Sequence, residues 1–505
     1  LTTPEQHDLS DPTVERNPKR LQKWLNELPL MNVGESLRQL INALEPLNEQ
    51  RMPPLERLAL LNLYREPVAK LFASSTPVDL RRLRISKAER QQAVDNLERL
   101  CLGLAGGFKL VVKGLYAQSE EQRGAFGRAL EGALTQLARS LVHSYRCYRP
   151  VPPFVFLELH QLYRLARQQG LALATEGDPK ASLAARYQAI MLLALTDPFH
   201  LSEGSVERLY RFLRQVSHLA RIIPGHSWEG SPEGLYALDL RSDSPPALCV
   251  RLTSPPQADD PYVLDGRAAV QALHQALAQR PAQRRGHTVE AQLLRSLLPE
   301  VPGPDQRREG RHSDGRWLEL LVGLDAMHDY LAQRTGTAPT RRMGSSLELT
   351  GGGEVHAMRV LDASAKGMRL HWGGAGLGEL QVGDLLGVLS DTAEVLPRLQ
   401  LATIRWVRCE RDGSAALGVE LVDGRPSAVN CRQADEEQGD VIRCLFLPSA
   451  ADTASAGLIA PSGLYAPQRR LLLYVGRREV SVRMGQLVQE TELWEHFEFA
   501  ADAPI

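Results

Sequence analysis

The feature that most constrains this chain is a change in the period of its apolar residues. From residue 13 to about residue 222 they recur at helical spacing, whereas from Leu347 to Asp423 they alternate. A period of 3.6 puts i, i+3, i+4 and i+7 on one helix face, and a period of two puts alternate residues on one strand face. The chain must therefore fold as a helical region followed by a β region. In "NVGESLRQLINALEPLN", Leu37, Leu40, Ile41 and Leu44 share a face, and Asn32 with Glu35 three positions on is a helix-start signal. In "SKAERQQAVDNLERLCLGL", Ser86 and Glu89 form a capping-box pattern, and Ala93, Leu97, Leu100 and Leu104 line one stripe. A helix from about Phe154 to Arg167 follows Pro152 and Pro153, and another opens after Ser202 or Ser205 with Val206, Leu209, Leu213 and Val216 facing inward. Leu-Tyr-Arg recurs at 63–65, 162–164 and 209–211, but the unequal spacings of 99 and 47 support an irregular helical array or bundle rather than a fixed-period solenoid. Each of these tyrosines is expected to bury its ring and keep its hydroxyl wet.

Near Pro224 the character changes. "GLYALDL", "ALCVRL" and "YVLD" read as short strands, and a helix is expected from about Gly266 to Gln279. "QRPAQRRGHT" and "PEVPGPDQRREGRHSDGR" are connections rich in proline, glycine and arginine. "WLELLVGLDAMHDYLAQR" fits a strand to Val322 followed by a helix better than a single helix. Beyond Leu347, "GMRLHW" points Met368, Leu370 and Trp372 one way and Arg369 and His371 the other. "LQLATIRWVRCE" and "SAALGVELV" keep the period of two across the turn signal "RDG", and together these strands suggest a small antiparallel barrel. The expected fold is therefore a multidomain α+β chain. It comprises a helical region at 1–223, a mixed α/β module at 224–333, a β-barrel at 334–430 and a β-rich extension at 431–505.

Bulk properties exclude several function classes. The chain of 505 residues carries 59 Lys plus Arg against 60 Asp plus Glu, so no global field recruits a nucleic-acid polymer or anionic lipid. An anion site must be local. The six cysteines are scattered without a C-x-x-C pair, which argues against a disulfide framework and against zinc. The longest clean apolar run, "AIMLLAL" at 189–195, falls far short of the ~20 residues that cross a bilayer, so no membrane insertion is expected. The opening residues do not resemble a signal peptide, and the expectation is a cytoplasmic protein. There is no P-loop lysine, nucleophile elbow or H-E-x-x-H, and the thirteen histidines show no ligand spacing; neither an enzyme nor a metal site is expected.

One short segment stands out. "RVLDASAKGMRLHW", residues 359–372, sets an acid, a hydroxyl and a glycine at Asp362, Ser364 and Gly367 between alternating strands. Read on its own, the run is a turn in which side chains bond the backbone. Its surroundings add more: an outgoing strand "GMRLHW", a "GD" turn in "VGDLLGVL", the strand "IRWVRC" and the closing strand "LGVEL" follow in order. The D-x-S-x-x-G run with this succession, roughly 80 to 90 residues in all, resembles the PilZ domain family.

That resemblance implies a receptor for cyclic di-GMP, with no metal or other cofactor. Asp362 would accept from the guanine N1–H and exocyclic amine, Ser364 would add a hydrogen bond, and Gly367 would permit a tight bend. The family's arginines come from an R-x-x-x-R motif entering the barrel, to bond guanine O6 and N7, stack on the base and pair with phosphate. Here the expected entering segment, "AQRTGTAPTRRMGSS", offers Arg334, Arg341 and Arg342 but no pair at that spacing. An R-x-x-x-R does occur at Arg307 and Arg311, with Arg308 beside it, more than fifty residues before Asp362. The expected site is thus Asp362, Ser364 and Gly367 with Arg334, Arg341 and Arg342, and Arg307, Arg308 and Arg311 stand as secondary candidates. The resemblance also implies an output in motility, type IV pilus assembly, surface attachment or exopolysaccharide production, through a protein partner held by the helical region. A ligand-free scaffold whose barrel is structural is the alternative.

Overall fold

The structure is a computed structural model. It describes residues 1–8, 11–116, 120–173, 178–225, 233–249, 262–279, 297, 312–334, 355–373, 380–389, 398–410, 412–435, 439–448, 456–476 and 478–501. The chain divides into two compact units, Leu1–Val301 and Pro302–Ile505.

The first unit is built on nine described helices: α1 Pro18–Asn26, α2 Val33–Glu49, α3 Pro54–Ser74, α4 Pro77–Arg82, α5 Lys87–Leu115, α6 Arg123–Arg146, α7 Val155–Gln168, α8 Leu183–Ala194 and α9 Ser205–Val216. Their ends follow local chemistry. The Asn32 side chain accepts from the Glu35 amide, and Ser86 with Glu89 closes the capping box that starts α5. Phe154 precedes α7 in the left-handed region, held there by Asp243, whose carboxylate accepts from the Phe154 and Leu157 amides at 2.6 and 3.1 Å. The stripe Ala93, Leu97, Leu100 and Leu104 is buried, as the 3.6 period requires. Strands β1 Arg221–Pro224, β2 Leu235–Leu238, β3 Ala247–Leu248 and β4 Tyr262–Asp265 form an antiparallel sheet in the order β1-β4-β2-β3, followed by α10 Arg267–Ala278. Tyr236, Leu238, Leu264, Val270 and Leu273 share one hydrophobic core with the helices. The mixed α/β segment beyond residue 223 thus completes the helical core rather than enclosing its own.

The second unit carries two β structures. Strands β5 His312–Ser313, β6 Trp317–Val322, β7 Val355–Ala363, β8 Gly367–Trp372, β9 Leu385–Leu389, β10 Leu399–Cys409 and β11 Ala415–Leu421 form one sheet in the order β5-β7-β6-β9-β10-β11-β8, which the β7–β8 pairing closes on itself. The sheet therefore begins upstream of residue 334, at β5 and β6. The strand-then-helix expectation for "WLELLVGLDAMHDYLAQR" matches: β6 is followed by α11, Leu324–Arg334. What the sequence suggested only as a β-rich extension is a second closed barrel. It comprises β12 Ser427–Gln433, β13 Ile442–Leu447, β14 Ala456–Pro461, β15 Arg470–Val475, β16 Arg478–Glu490 and β17 Trp494–Ala501, in the order β12-β13-β14-β17-β16-β15.

α11 is the wedge between the two. Met327, Tyr330 and Leu331 are buried with Leu385, Leu389 and Leu401 of the first barrel and with Leu445, Leu447 and Ile459 of the second. Trp494 of β17 joins that cluster, and its indole N–H donates to the Gly383 carbonyl at 2.7 Å.

Candidate functional site

Asp362 lies near the end of β7, and its placement depends on a bulge. Along β7, Met358 and Val360 are buried while Ala357 and Arg359 are exposed. Unbroken alternation would turn residue 362 into the barrel. The register with β8 slips between Val360 and Asp362, leaving Leu361 as the extra residue. Such a bulge re-aims the next side chain, so Asp362 stands opposite the exposed Arg369 instead of among the buried residues. The Arg369 Nε and the Asp362 Oδ2 form an ion pair at 3.1 Å.

The turn itself is tightly determined. The Ser364 amide donates to the Gly367 carbonyl at 2.8 Å, and its hydroxyl to the same oxygen at 3.3 Å. Ser364 thus serves the turn, as an isolated reading of the segment anticipates. The Leu421 amide donates to the Lys366 carbonyl at 2.8 Å, pinning the turn to β11. Gly367 is required there, because a Cβ at that position would lie well inside contact distance of the Val419 carbonyl oxygen.

Around Asp362 the outer barrel surface carries cations and indoles in register. One row runs Ser313, Asp362, Arg369, Gly418, Trp406 across β5, β7, β8, β11 and β10. The neighbouring row runs Trp317, Arg359, His371, Ala416, Arg408. The Trp406 indole lies flat across Gly418, where any Cβ would collide with it, and the Arg408 guanidinium stands 5.9 Å from its ring. Trp317 is 62% exposed although it is the first residue of a barrel strand. Trp406, Arg408, Arg369 and Arg359 were not singled out from the sequence. Alternation in "GMRLHW" puts Arg369 on an outer face, but Trp406 and Arg408 are turned outward by a register shift after Ile404, and only the pairing of strands distant in sequence gathers all four beside Asp362.

The candidate arginines lie mostly outside the described residues. Arg334 is the last residue of α11, while Arg341 and Arg342 lie outside the described residues, as do Arg307, Arg308 and Arg311. β5, however, pairs with the far end of β7, His312 with Ala363 and Ser313 with Asp362, and Arg311 is the residue immediately before His312. The Val360 amide also donates to the Arg316 carbonyl at 2.9 Å, and Arg316 pairs with Asp314 at 3.0 Å. The segment leading into the barrel beside Asp362 is therefore the one that follows the R-x-x-x-R. β7 itself begins at Val355, seven residues before Asp362.

Among the described residues no group of His, Cys, Asp and Glu is arranged to hold a metal ion, and no helix is long and apolar enough to cross a membrane.

Comparison with known proteins follows the same division. Residues 19–226 match the family model described as the N-terminal domain of the cyclic-di-GMP receptor FimW, and residues 427–501 match the FimW C-terminal beta-barrel domain. Residues 344–427 match the middle PilZ domain of that receptor. A curated relative, the cyclic-di-GMP receptor FimW of Pseudomonas aeruginosa (strain PAO1), is 25% identical over 582 aligned residues, covering 100% of this chain and 93% of its own. No solved structure matches the chain. These descriptions are of a receptor, a binding protein rather than an enzyme. With the ordered D-x-S-x-x-G strands and the closed sheet that carries them, the first barrel of the second unit belongs to the PilZ domain family.

Proposed function

We propose that this chain is a cyclic di-GMP receptor whose ligand sits on the outer face of the PilZ barrel, at the Asp362 end of β7. The observation that carries the reading is the Ser313–Asp362 pairing, which makes Arg307, Arg308 and Arg311 the near arginines in chain distance. Only two residues of chain, at about 3.5 Å of extended length each, separate Arg311 from Ser313 in the sequence. Between Val355 and Asp362 the strand climbs roughly 23 Å at ~3.3 Å per residue. Arg341 and Arg342 stand 21 and 20 residues before Asp362 in the chain, with that strand between. We therefore rank Arg307, Arg308 and Arg311 ahead of Arg334, Arg341 and Arg342.

The chemistry suits a guanine dinucleotide. Asp362 accepts from the base edge, and forked guanidinium groups bond guanine O6 and N7 or pair with phosphate. The indole of Trp406, flanked by Arg369 and Arg408, is a flat platform for a base, and such stacking is worth about 1–3 kcal/mol per base. The similarity to a protein described as a cyclic-di-GMP receptor supports the same ligand. We further propose that binding is passed to a protein partner on the helical unit, with an output in motility, pilus function, attachment or exopolysaccharide. The scattered thiols, none in a disulfide among the described residues, fit action in the cytoplasm.

Calorimetric titration with cyclic di-GMP, with GTP as control, tests the reading. Asp362→Ala and the pair Arg307→Ala/Arg311→Ala are each expected to weaken binding at least tenfold, and Arg341→Ala/Arg342→Ala to weaken it less. The opposite order would return the site to the 334–342 arm. A wild-type chain that binds no cyclic di-GMP would leave the scaffold reading standing.

A further inference from the structure

Arginines inside the helical unit are of two kinds. Arg146, 2% exposed, is fully answered. It donates to the Phe72 and Ser75 carbonyls at 3.1 and 3.0 Å, to His143 Nδ1 at 3.2 Å and to Glu207 at 3.3 Å. Four others, Arg65 of α3, Arg139 of α6, Arg186 of α8 and Arg214 of α9, are linked as charged neighbours, and only two of them share a carboxylate, Glu131. Glu131 takes both the Arg65 and the Arg186 guanidinium, at 2.9 and 3.1 Å. Two turns along α6, Arg139 donates to the Gln136 side chain at 3.3 Å and stands 5.9 Å from the Phe72 ring. Its charged neighbours include Arg65 and Arg214, and those of Arg186 include Arg65 and Arg214 as well. Among the described residues no carboxylate forms an ion pair with Arg139 or Arg214.

This arrangement serves the fold only in part: Glu131 ties α3, α6 and α8 together, but Arg139 and Arg214 gain no carboxylate among the described residues. Four cations against one anion repel one another, and the side chains of Arg65, Glu131 and Arg186 are only 31, 22 and 20% exposed, so water screens them incompletely. Burial, with the neighbouring arginines adding to it, pulls the Arg139 and Arg186 guanidinium groups below their ordinary range. Thr135, one turn from Glu131 and one from Arg139 on α6, buries a hydroxyl that has no hydrogen-bond partner. A surplus of forked donors, an orphaned hydroxyl and access to solvent are what an oxyanion would satisfy. The four arginines come from four different helices, of which α3, α8 and α9 all pack against α6. A compact anion of more than one charge fits that better than an extended polyanion does.

We propose that this arginine cluster binds a phosphate dianion, free or as the terminal group of a small phosphomonoester, and that the occupied cluster locks α3, α6, α8 and α9 together. The test uses the full chain, with sodium phosphate, glycerol phosphate and sodium chloride compared at equal ionic strength by calorimetry and thermal unfolding. Phosphate is expected to bind saturably and to raise the unfolding midpoint above that in chloride. Arg139→Gln/Arg214→Gln is expected to weaken phosphate binding at least tenfold, and the milder Arg214→Lys, which keeps charge but loses the fork, to weaken it by less. In chloride, the double variant should unfold no earlier than wild type, because a repulsion has been removed. Its affinity for cyclic di-GMP should be unchanged, which separates this site from the barrel. Tighter binding of glycerol phosphate than of phosphate identifies an ester as the ligand, and the reverse order identifies the free anion. Phosphate acting no differently from chloride, or acting equally on the double variant, overturns the proposal.

Discussion

Replacing Gly367 by alanine probes the turn that holds Asp362. The added methyl group would press on the Val419 carbonyl, with the Val419 carbonyl carbon and Glu420 Cα only 3.5 and 3.6 Å away, so the acceptor is backbone that cannot rotate aside. β8 and β11 must part by on the order of 1 Å to restore van der Waals contact. That shift strains the Leu421–Lys366 and Ser364–Gly367 backbone hydrogen bonds, both 2.8 Å. Overpacking of this kind costs about 1–3 kcal/mol, and weakening the two hydrogen bonds adds about 0.5–1.5 kcal/mol each. The stiffer unfolded chain returns about 0.4–1 kcal/mol. The net expectation is a loss of about 2–3 kcal/mol, or roughly 4–12 °C in Tm for a unit of about two hundred residues. Chemical denaturation gives the stability, and hydrogen exchange of the Leu421 amide reports the local parting. A stability change below about 1 kcal/mol together with unaltered Leu421 exchange would refute the close-approach argument.

Two further predictions concern the helical core. Lys109 and Glu158, both buried, pair at 2.7 Å, and the Thr2 amide adds a 2.8 Å bond to Glu158; Lys109→Met strands the carboxylate and should cost about 3–5 kcal/mol in denaturant titration. Lys109→Met/Glu158→Leu should recover more than half of that loss, and failure to recover would mean that packing, not the stranded charge, dominates. His143 accepts from Arg146 Nε through Nδ1 and donates through Nε2 to the Val94 carbonyl at 2.9 Å, and burial holds its pKa well below 6.5. The unfolded chain therefore binds a proton that the folded one refuses, so stability is flat above about pH 6.5 and falls below it by at most about 1.4 kcal/mol per pH unit for this group. His143→Gln should flatten the acid limb by that slope, and an unchanged limb would show that His143 is protonated when folded.

The helical half was legible because its information is local. Capping at Asn32 and Ser86 and the stripe from Ala93 to Leu104 depend on residues within a few turns of one another. The opposed faces of "GMRLHW" were equally plain, since a period of two needs no knowledge of the partner strand. The binding face was only half legible. Asp362, Ser364 and Gly367 form a contiguous run, whereas Trp406 and Arg408 join them through pairings that span tens of residues.

By itself, the amino-acid sequence determined the order of helical and β regions, the starts of the helices and the acid–hydroxyl–glycine turn, all matters of neighbouring side chains and backbone preference. Tertiary structure alone decided that a bulge turns Asp362 outward, that β5 brings the chain after Arg311 to its side, and that arginines from two separate helices share one carboxylate on a third. The physical reason is that register, bulges and charge clusters arise from the packing of segments far apart in the chain, and no local period or propensity encodes the distance between them.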